Sequence, residues 1–468
     1  MLWGIPGAIA GALLAVRGNG WLLLFLGLAA VALGAFLLRR GRAVYALPLL
    51  LGLLLLRGAA SPHVIVTPGV YAVTGTVTDA PEHGRGKTVA ALSRVTLDGQ
   101  RVPGTLELTV PYDAALAYGD ALALRARVVP DTRGAVRSLS TVLYAGEPAG
   151  EIVIRQGRAD PLYGLALRWR ERLGAAADEL FGADSGIAKG MLFGDRDDIH
   201  YLDFLAFRRS GLLHLLTVSG LHVGVVCGAA LELIRGRRKW LRFLLSALVL
   251  LLFCLLTGLS PSSLRAAIML LMVRFSRLLD RQDDPISEIG CALTLLLLIN
   301  PSFLTASGFC LSFGAIWGLT CFTALRGQRE GLAGFLAGAV GVFLGMLPLL
   351  SITGGQISWV GPFISLLALP AAPLFLIPGW AAVLLNPLLP AVAKVVALLP
   401  QGVLYYLSAL AELVPVDGFV LPSANGAALV LWFAGLLFVS PYFLPNRKRP
   451  AYVGWGLLAA GTLVWFLV

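Results

Sequence analysis

Long apolar runs recur along most of the chain and are separated by short polar segments. Near the amino terminus three such runs cover residues 2–16, 21–38 and 44–56. About ten more follow at residues 213–234, 241–258, 264–280, 287–300, 303–325, 331–352, 363–387, 391–413, 426–445 and 452–468. A helix needs about 20 apolar residues to cross a hydrocarbon core of about 30 Å. The pattern therefore predicts a polytopic α-helical membrane protein with about 13 spans, of which 264–280 and 287–300 are short for a crossing.

The segment 66–156 departs from this pattern. Residues 71–78, 88–97, 104–110 and 121–129 are β-branched or alternate between apolar and polar, which is typical of strands. Turn residues such as Asp98-Gly99 and Gly119-Asp120 separate them. About five strands in so short a segment predict a small, OB-like β-barrel.

Residues 161–183 predict an amphipathic helix on the membrane face. Its apolar side carries Leu162, Leu165, Leu173, Ala176 and Leu180, and its other side carries Arg168, Arg170, Glu171 and Arg172. The helix is too charged to span a bilayer. The expected division of the chain is thus membrane spans (1–60), an extracytoplasmic OB-like domain (66–156), this interfacial helix (161–183) and a membrane domain (184–468).

Residues 207–226 (FRRSGLLHLLTVSGLHVGVV) place polar side chains inside a run of membrane length. The polar residues are His214, Thr217, Ser219 and His222, and the glycines among them are Gly211, Gly220 and Gly224. A polar side chain at membrane depth costs roughly one to a few kcal/mol unless it faces protein or water. A helix that only contacted lipid would have no use for two imidazoles. We therefore expect this stretch to border a wet space and to be the functional centre.

Eight prolines fall between residues 347 and 401: Pro348, Pro362, Pro370, Pro373, Pro378, Pro387, Pro390 and Pro400. Each costs about 3 kcal/mol inside a straight helix, so the pattern predicts broken or kinked helices. Freed backbone groups at membrane depth must face protein or a cavity. Two interpretations follow, a polar path through the bundle and kinked packing alone.

The composition agrees with a membrane protein, since 57% of residues are hydrophobic and 13% are charged. The net charge of +11 is not evidence for nucleic-acid binding. Fifteen basic residues lie in short loops or at span ends, as the positive-inside rule expects: Arg39, Arg40, Arg42, Arg235, Arg237, Arg238, Lys239, Arg274, Arg277, Arg281, Arg326, Arg329, Arg447, Lys448 and Arg449. Alternating the spans from an external OB-like domain leaves these loops in the cytoplasm.

The OB-like segment itself gives a weak signal for nucleic acid. Residues 71–147 contain eight basic and eight acidic residues, no Trp and no Phe, whereas a stacking platform needs aromatic residues and a basic groove. A local basic stripe is conceivable from Arg125, Arg127, Arg133 and Arg137. DNA contact by this stripe and a purely structural role for the domain both remain open.

Three further patterns could suggest nucleotide binding, metal binding or cysteine chemistry, but the residues do not support these functions. Residues 83–88 end like a phosphate loop, but Pro81 stands where its first glycine is required and a strand follows, so no ATP-binding motif is found. Asp195, Asp197, Asp198, His200 and Asp203 lack a defined ligand geometry, and a solvated turn with helix-capping acids is the preferred interpretation. Neither a metal nor another cofactor is predicted. The five cysteines lie in or beside apolar runs without CxxC spacing, so we expect them to pack. No cleaved signal peptide is expected.

The segment HLLTVSGLHVGVV, residues 214–226, resembles the signature of the ComEC competence family. Two further blocks resemble that family, SPSSLRAAIM (260–269) with Arg265 and NPSFLTASGFCLSFGAIWGL (300–319) with Ser312. A third, LLALP, is preceded by Ser365 where the family usually has Asn. The resemblance implies a multi-pass protein of the inner (cytoplasmic) membrane that passes single-stranded DNA inward during natural transformation, with the OB-like domain outside and 184–468 as the channel domain.

The resemblance also implies partners. Besides the lipid bilayer and single-stranded DNA, these are a DNA receptor, a nuclease and a cytoplasmic ATP-driven helicase or translocase, with a homodimer as a further possibility. Many family members carry a carboxy-terminal metallo-β-lactamase-like domain. This chain resembles a short form without it, so no nuclease activity is carried over and no enzyme is predicted.

The channel hypothesis assigns the lining to His214, Thr217, Ser219, Gly220, His222, Arg265 and Ser312. Arg265 suits a phosphate contact or an interfacial residue equally. Ser219 and His222 are one helical turn apart, so an intramembrane Ser/His hydrolase is an alternative, although no third orienting acid is found within the run. The same polar residues also fit a role in packing alone, and the chain as a whole also fits a small-solute or lipid transporter.

Overall fold

A β-barrel and a set of helices make up the part of the chain that this computed structural model describes. The described residues are 66–79, 81–84, 87–102, 104–111, 116–130, 136–137, 140–155, 160–232, 238–278, 280, 292–293, 295–300, 303, 307–325, 332–352, 356–358, 360–414, 419–420, 422, 426–439 and 448–467. The three apolar runs expected between residues 2 and 56 lie outside them.

Five long strands close into the barrel. They are β1 (Gly69–Val77), β2 (Lys87–Leu97), β3 (Thr105–Pro111), β4 (Ala121–Pro130) and β5 (Ser140–Arg155). The order around the barrel is β1-β2-β3-β5-β4, and β4 pairs with β1 to complete the circle. The β3–β5 pair is parallel and the others are antiparallel. Three short strands, Glu82–Gly84, Gln100–Arg101 and Val136–Arg137, add to the sheet. The OB-like barrel that the sequence predicts is confirmed.

Period-two alternation fills the inside of this barrel. Val73 of β1 lies opposite Leu124 of β4, and both side chains are buried. The turn after β2 uses Asp98 and Gly99 at φ values of 49° and 82°, which suits an Asp-Gly pair. One carboxylate oxygen of Asp98 accepts a hydrogen bond from the Ala72 N–H at 2.8 Å. The turn is thus tied to the neighbouring strand.

The helical region begins directly after the barrel. Its helices are α1 (Pro161–Phe181), α2 (Ser185–Phe193), α3 (Tyr201–Arg209), α4 (Gly220–Glu232), α5 (Lys239–Leu256), α6 (Pro261–Leu278), α7 (Ser307–Leu325), α8 (Leu332–Ile352), α9 (Gly361–Ala368), α10 (Ala371–Leu385), α11 (Pro390–Glu412), α12 (Gly426–Val439) and α13 (Lys448–Leu467). A 3₁₀ turn covers Gly182–Asp184, and a strand pair joins Gln356–Ile357 to Phe419–Val420.

Within the described residues, three helices are long and apolar enough to cross a membrane: Lys239–Leu256, Ala333–Ile352 and Pro390–Glu412. A fourth span is obtained if α9 and α10, which meet at a bend of 48°, are counted as one. Many apolar side chains on these helices are exposed, among them Leu248 and Val395, as lipid-facing surfaces require. The protein is therefore a membrane protein, while the count of about 13 spans stays a prediction.

The core of the helical region forms around α2 and α10. Every residue of α2 from Gly186 to Phe193 is buried. The Phe193 ring meets the Trp380 ring of α10 edge to face, with centroids 5.2 Å apart. Phe375 of α10 is also fully buried. A short helix at the centre of the bundle thus supports the segments that follow it in the chain.

Close glycine contacts join α7 to α8. A Cβ atom at Gly318 would overlap the carbonyl oxygen of Gly341 and approach Gly345, and a Cβ at Gly345 would overlap that of Gly314. Glycines spaced four residues apart on both helices let the two backbones touch. The two helices therefore touch at their backbones, and the Leu349 side chain also lies against Gly314.

The barrel contacts the helical region through α1. The Tyr163 hydroxyl donates a hydrogen bond to Asp79 at 2.7 Å, and the Tyr118 ring meets the Tyr163 ring edge to face at 4.9 Å. At the other end of α1, Glu179 accepts a hydrogen bond from Asn386 at 3.0 Å and pairs with Lys394 at 3.1 Å. Helix α1 therefore touches the barrel at one end and α10 and α11 at the other.

Candidate functional site

The segment predicted to cross as one helix at 213–234 is broken, which corrects that expectation. Helix α3 ends at Arg209, Gly211 has a φ of 77°, and a 3₁₀ turn covers Leu212–Leu216. The backbone is then extended at Thr217 and Ser219, and α4 begins at Gly220 with a π turn at Val223–Cys227. The physical reason is local, because the left-handed Gly211 ends the helical backbone that precedes it and Ser219 caps the start of a new helix.

Side-chain hydrogen bonds hold this break. The Thr217 hydroxyl donates to the His214 carbonyl at 3.0 Å, and a ring nitrogen of His214 pairs with the Gly211 carbonyl at 3.0 Å. The Ser262 hydroxyl at the start of α6 donates to the Val218 carbonyl at 2.8 Å. The extended residues are therefore tied to both their own chain and the amino terminus of α6.

A second break lies between α9 and α10, and the start of α9 contacts the first break. Helices α9 and α10 meet at 48°, with Pro370 immediately before α10. A Cβ atom at Gly211 would lie 2.9 Å from the Gly361 Cα at the start of α9, so the two interrupted segments touch backbone to backbone. The break predicted from the prolines is confirmed at Pro370. Pro348, Pro378 and Pro400, by contrast, lie inside helices α8, α10 and α11, which continue through them.

Ser219 and His222 form a helix cap. The Ser219 hydroxyl pairs with His222 Nδ1 at 3.0 Å, and the Ser219 N–H donates to the same nitrogen at 3.3 Å. Since Nδ1 accepts, the ring proton belongs on Nε2. That atom is buried and makes no hydrogen bond of normal geometry with any described residue, although the Leu215 carbonyl is within electrostatic reach. A nucleophile–base pair needs an acid that orients the imidazole, and the described contacts of His222 include none.

The residues predicted to line the channel differ in solvent exposure. His214 is exposed, and Thr217, Ser219, Gly220 and Ser312 are half-buried. His222 is 0% exposed and Arg265 is 3% exposed. Gly220 and His222 lie on opposite sides of α4, because two residues correspond to about 200° of helix rotation. In this conformation His222 and Arg265 thus border no open space.

Arg265 lies on α6 against the start of α4. A Cβ atom at Gly220 would be 3.1 Å from its Nη2. Its Nη1 donates to the Met269 sulfur at 3.6 Å, and the guanidinium carbon lies 5.7 Å from the centroid of the Phe313 ring. Its Nε has no hydrogen-bond partner among the described residues. The structure therefore brings Gly220 and Arg265 together, although 44 intervening residues separate them in the chain.

The acidic segment 195–203 is built into ion pairs. Lys189 of α2 pairs with Asp178 at 2.9 Å and also with Asp198, and Arg170 pairs with Asp195 at 3.5 Å. Burial alone would lower the pKa of Lys189, but its hydrogen bonds to Asp198 and Asp178 outweigh burial and raise that pKa. No group of three or more potential metal ligands occurs among the residues that the structure describes. Asp195 and Asp198 are thus partners of basic side chains.

The barrel arginines are placed only in part. Arg125 and Arg127 are exposed on one face of β4, and Arg127 lies opposite Glu147 of β5. Arg137 belongs to a short strand, and Arg133 lies outside the described residues. Of the predicted basic stripe, the structure therefore shows two exposed arginines on β4, Arg125 and Arg127, with the acidic Glu147 next to Arg127.

Three residues of the site were missed by sequence reasoning. Ser262 binds the extended segment, Gly361 meets Gly211, and Lys189 neutralises two aspartates. Only Lys189 carried a usable signal, since a lysine within the apolar stretch GIAKGMLF needs acidic partners. The remaining two are ordinary in sequence, and their roles come from contacts with distant segments.

Comparison with known proteins places this site in a family. The sequence model described as "Competence protein" matches residues 191–445, more than half of the 468 residues. The chain belongs to the competence protein family. The matched region contains both helix breaks and Arg265, whereas the barrel precedes it.

Two curated competence relatives are similar to the chain. "ComE operon protein 3" of Bacillus subtilis is 30% identical over 220 residues, which are 46% of this chain and 28% of that protein. "Recombination protein 2" of Haemophilus influenzae is 26% identical over 140 residues, which are 28% of this chain and 18% of that protein. The match thus spans less than a third of either relative. No solved structure matches the chain.

Proposed function

We propose that this protein forms a passage for single-stranded DNA through the inner membrane during natural transformation. Membership of the competence family and the relatives' names support a role in DNA uptake. The structural observation that supports a passage is the contact between two interrupted helical segments at Gly211 and Gly361. Irregular backbone at membrane depth is tolerated where it is buried in protein or lines a cavity, and such breaks mark substrate sites in transporters.

The proposed lining is His214, Thr217, Ser219, Gly220, His222, Arg265 and Ser312. Because His222 and Arg265 are buried, conduction requires that the two broken segments move apart. Glycine-to-glycine contact suits such a movement, since it interlocks few side chains. The described structure then corresponds to a closed passage.

The barrel has a presenting role in this proposal. It lies outside the cell membrane, because the basic loops between spans belong in the cytoplasm. Its contact with α1 through Tyr163 keeps it next to the helices, and Arg125 and Arg127 offer exposed cations to a phosphate backbone. By family analogy, a DNA receptor and a nuclease deliver the strand and a cytoplasmic ATP-driven helicase or translocase pulls it. A homodimer is a possible assembly.

The decisive experiment measures entry of labelled DNA and transformation in a deletion strain. The strain is complemented with wild type, His222→Ala or Gly224→Ala, and the amount of protein in the membrane is compared by immunoblot. We expect about a tenfold loss of entry for His222→Ala, because a buried helix cap at the passage costs about 1.4 kcal/mol when removed. Gly224→Ala is the matched control, since its Cβ would meet nothing within 4 Å. Normal entry in the deletion strain contradicts the proposal.

A hydrolase is the second candidate because the Ser219 hydroxyl does contact His222. In that case Ser219→Ala would remove activity and Ser219→Asn, which keeps a capping side chain, would remove it equally. In the passage proposal Ser219→Asn retains most of the DNA entry. A small-solute or lipid transporter would differ again, because deletion of the barrel would leave its transport intact.

A further inference from the structure

Arg265 is a buried cation without an acidic partner among the described residues. Its side chain is 3% exposed, and its contacts are one methionine sulfur and the face of Phe313. Neither contact carries a full negative charge. Taking an unpaired ion out of water costs several kcal/mol, so the described surroundings of Arg265 favour the binding of an anion.

The amino terminus of α4 lies at the same place. Nη2 of Arg265 would be 3.1 Å from a Cβ at Gly220, the first residue of Gly220–Glu232. The first N–H groups of a helix lack intrahelical acceptors and carry a partial positive charge. The Ser219 hydroxyl satisfies the N–H of His222, while helix geometry gives Gly220 and Leu221 no such acceptor. The guanidinium and the helix start thus favour negative charge at one point.

The absence of a side chain at Gly220 lets the Arg265 guanidinium lie against the start of α4. A Cβ at Gly220 would lie 3.1 Å from Nη2, so the guanidinium would have to shift away from the helix start. Phosphate-binding helix termini also use glycine, because it lets the phosphate come close to the backbone N–H groups. The planar donors of arginine match the oxygens of a phosphate group.

We propose that Arg265 and the start of α4 bind a single phosphodiester group when the two broken segments move apart. The inference rests on the proposed function for its source, which is the backbone of single-stranded DNA. A phospholipid headgroup offers the same chemistry, but Arg265 faces α4 and α7 rather than lipid. One phosphate is held at a time, so the site acts as a step along the passage and not as a tight receptor.

The test uses the purified full chain in phosphatidylcholine nanodiscs. Binding of a labelled oligothymidylate is measured from low to high salt for wild type and three variants, Arg265→Gln, Arg265→Lys and Arg274→Gln. Arg274 is the matched control because it lies on the same helix with Glu232 within electrostatic reach. Inorganic phosphate is tested separately for its effect on the thermal unfolding temperature.

We expect Arg265→Gln to weaken binding about tenfold and to lower the slope of log K against log salt by about 0.7, the value for one phosphate on a single strand. Arg265→Lys should keep the slope and lose part of the affinity, because lysine lacks the planar donor pair. Arg274→Gln should leave both unchanged. An oligonucleotide with an uncharged methylphosphonate backbone should bind wild type and Arg265→Gln alike.

An unchanged slope and unchanged phosphate stabilisation in Arg265→Gln would overturn the proposal. Competition by phosphatidylglycerol nanodiscs, lost in Arg265→Gln, would assign the site to a headgroup and overturn the DNA source. Where Arg265→Gln fails to fold, Gly220→Ala keeps the charge and fills the space, and retained phosphate stabilisation there would equally contradict the site. Phosphate binding that depends on Arg265, together with normal DNA entry in the deletion strain, would contradict the proposed function but leave the phosphate site standing.

Discussion

Buried polar residues in this protein are stabilised by different interactions. Lys189 pairs with Asp178 and Asp198, while His222 is held on one side by Ser219. Asp178 and Asp198 keep 51% and 63% of their side chains exposed, against 10% for Lys189. The ion pairs are therefore asymmetric, since the lysine depends on its partners for solvation and the aspartates retain water.

This asymmetry predicts unequal effects of mutation. Lys189→Met should cost about 1 kcal/mol of unfolding free energy, because the aspartates remain solvated. The double change Asp178→Asn and Asp198→Asn should cost about 3 kcal/mol, because it leaves a buried cation unpaired. Thermal unfolding of the purified protein checks both, with Lys394→Met as control since its side chain is 60% exposed. Equal losses in both variants would contradict the argument.

Asp203 predicts a pH dependence of stability. Burial, with smaller contributions from Asp184 and Glu412, raises the pKa of Asp203 above its ordinary value of 3.8. A carboxyl with a raised folded-state pKa favours folding at low pH, and that contribution is lost as pH rises through the folded-state pKa. Asp203→Asn should therefore stabilise the protein near neutral pH, with the gain disappearing as pH falls below 3.8. Unfolding temperatures of the two proteins, measured between about pH 3 and about pH 7, would differ by a constant amount if the idea fails.

Individual helices here depend on glycine in opposite ways. Gly211 ends regular structure through its positive φ, whereas Gly318 and Gly345 permit two continuous helices to touch. In both cases the missing Cβ matters because backbone from another segment occupies its place. Glycine frequency alone does not distinguish the two uses.

The α7–α8 contact predicts a contrast between two glycines of one helix. Gly318→Ala should destabilise the protein by about 2 kcal/mol or more, because its Cβ would overlap the Gly341 carbonyl and force the helices apart. Gly308→Ala should be neutral or stabilise by up to about 1 kcal/mol, since nothing lies within 4 Å and alanine favours helix. Unfolding temperatures of the two variants test this, and a Gly318→Ala protein as stable as wild type would refute the close packing.

Across the whole molecule, α1 connects the barrel with the bundle. Tyr163 binds Asp79 of the barrel, Arg170 pairs with Asp195, and Glu179 binds Asn386 and Lys394. The Asn386 hydrogen bond and the nearby Lys394 lower the pKa of Glu179. Contacts at both ends of this helix therefore join the barrel to the helical bundle.

The barrel contact predicts an effect on the barrel's attachment. Tyr163→Phe should weaken the interaction between the barrel and α1 by about 1 kcal/mol, because the variant lacks the hydroxyl that donates to Asp79. Faster hydrogen exchange around residues 160–164, with unchanged exchange in β2 and β3, would show this. Tyr71→Phe is the control, since its hydroxyl bonds to nearby Thr67 and to no other residue that the structure describes. Equal exchange in the two variants would mean that the barrel is held elsewhere.

Local patterns in the sequence determined the class of elements. Alternation and an Asp-Gly turn located the barrel strands, apolar runs such as 241–258 and 331–352 coincide with helices, and one proline, Pro370, marks a helix bend. The competence family was also recognisable from contiguous motifs such as residues 214–226. These properties depend on near neighbours in the chain, which the sequence displays directly.

Only the tertiary structure decided which distant residues meet. The parallel β3–β5 pair, the Gly211–Gly361 contact and the burial of Arg265 against Gly220 each join segments far apart in the chain. Residues 213–234 read as one apolar helix, yet packing against the start of α6 and α9 stabilises an extended break within them. The free energy of such contacts comes from surfaces formed by several segments at once, so no single stretch of sequence contains it.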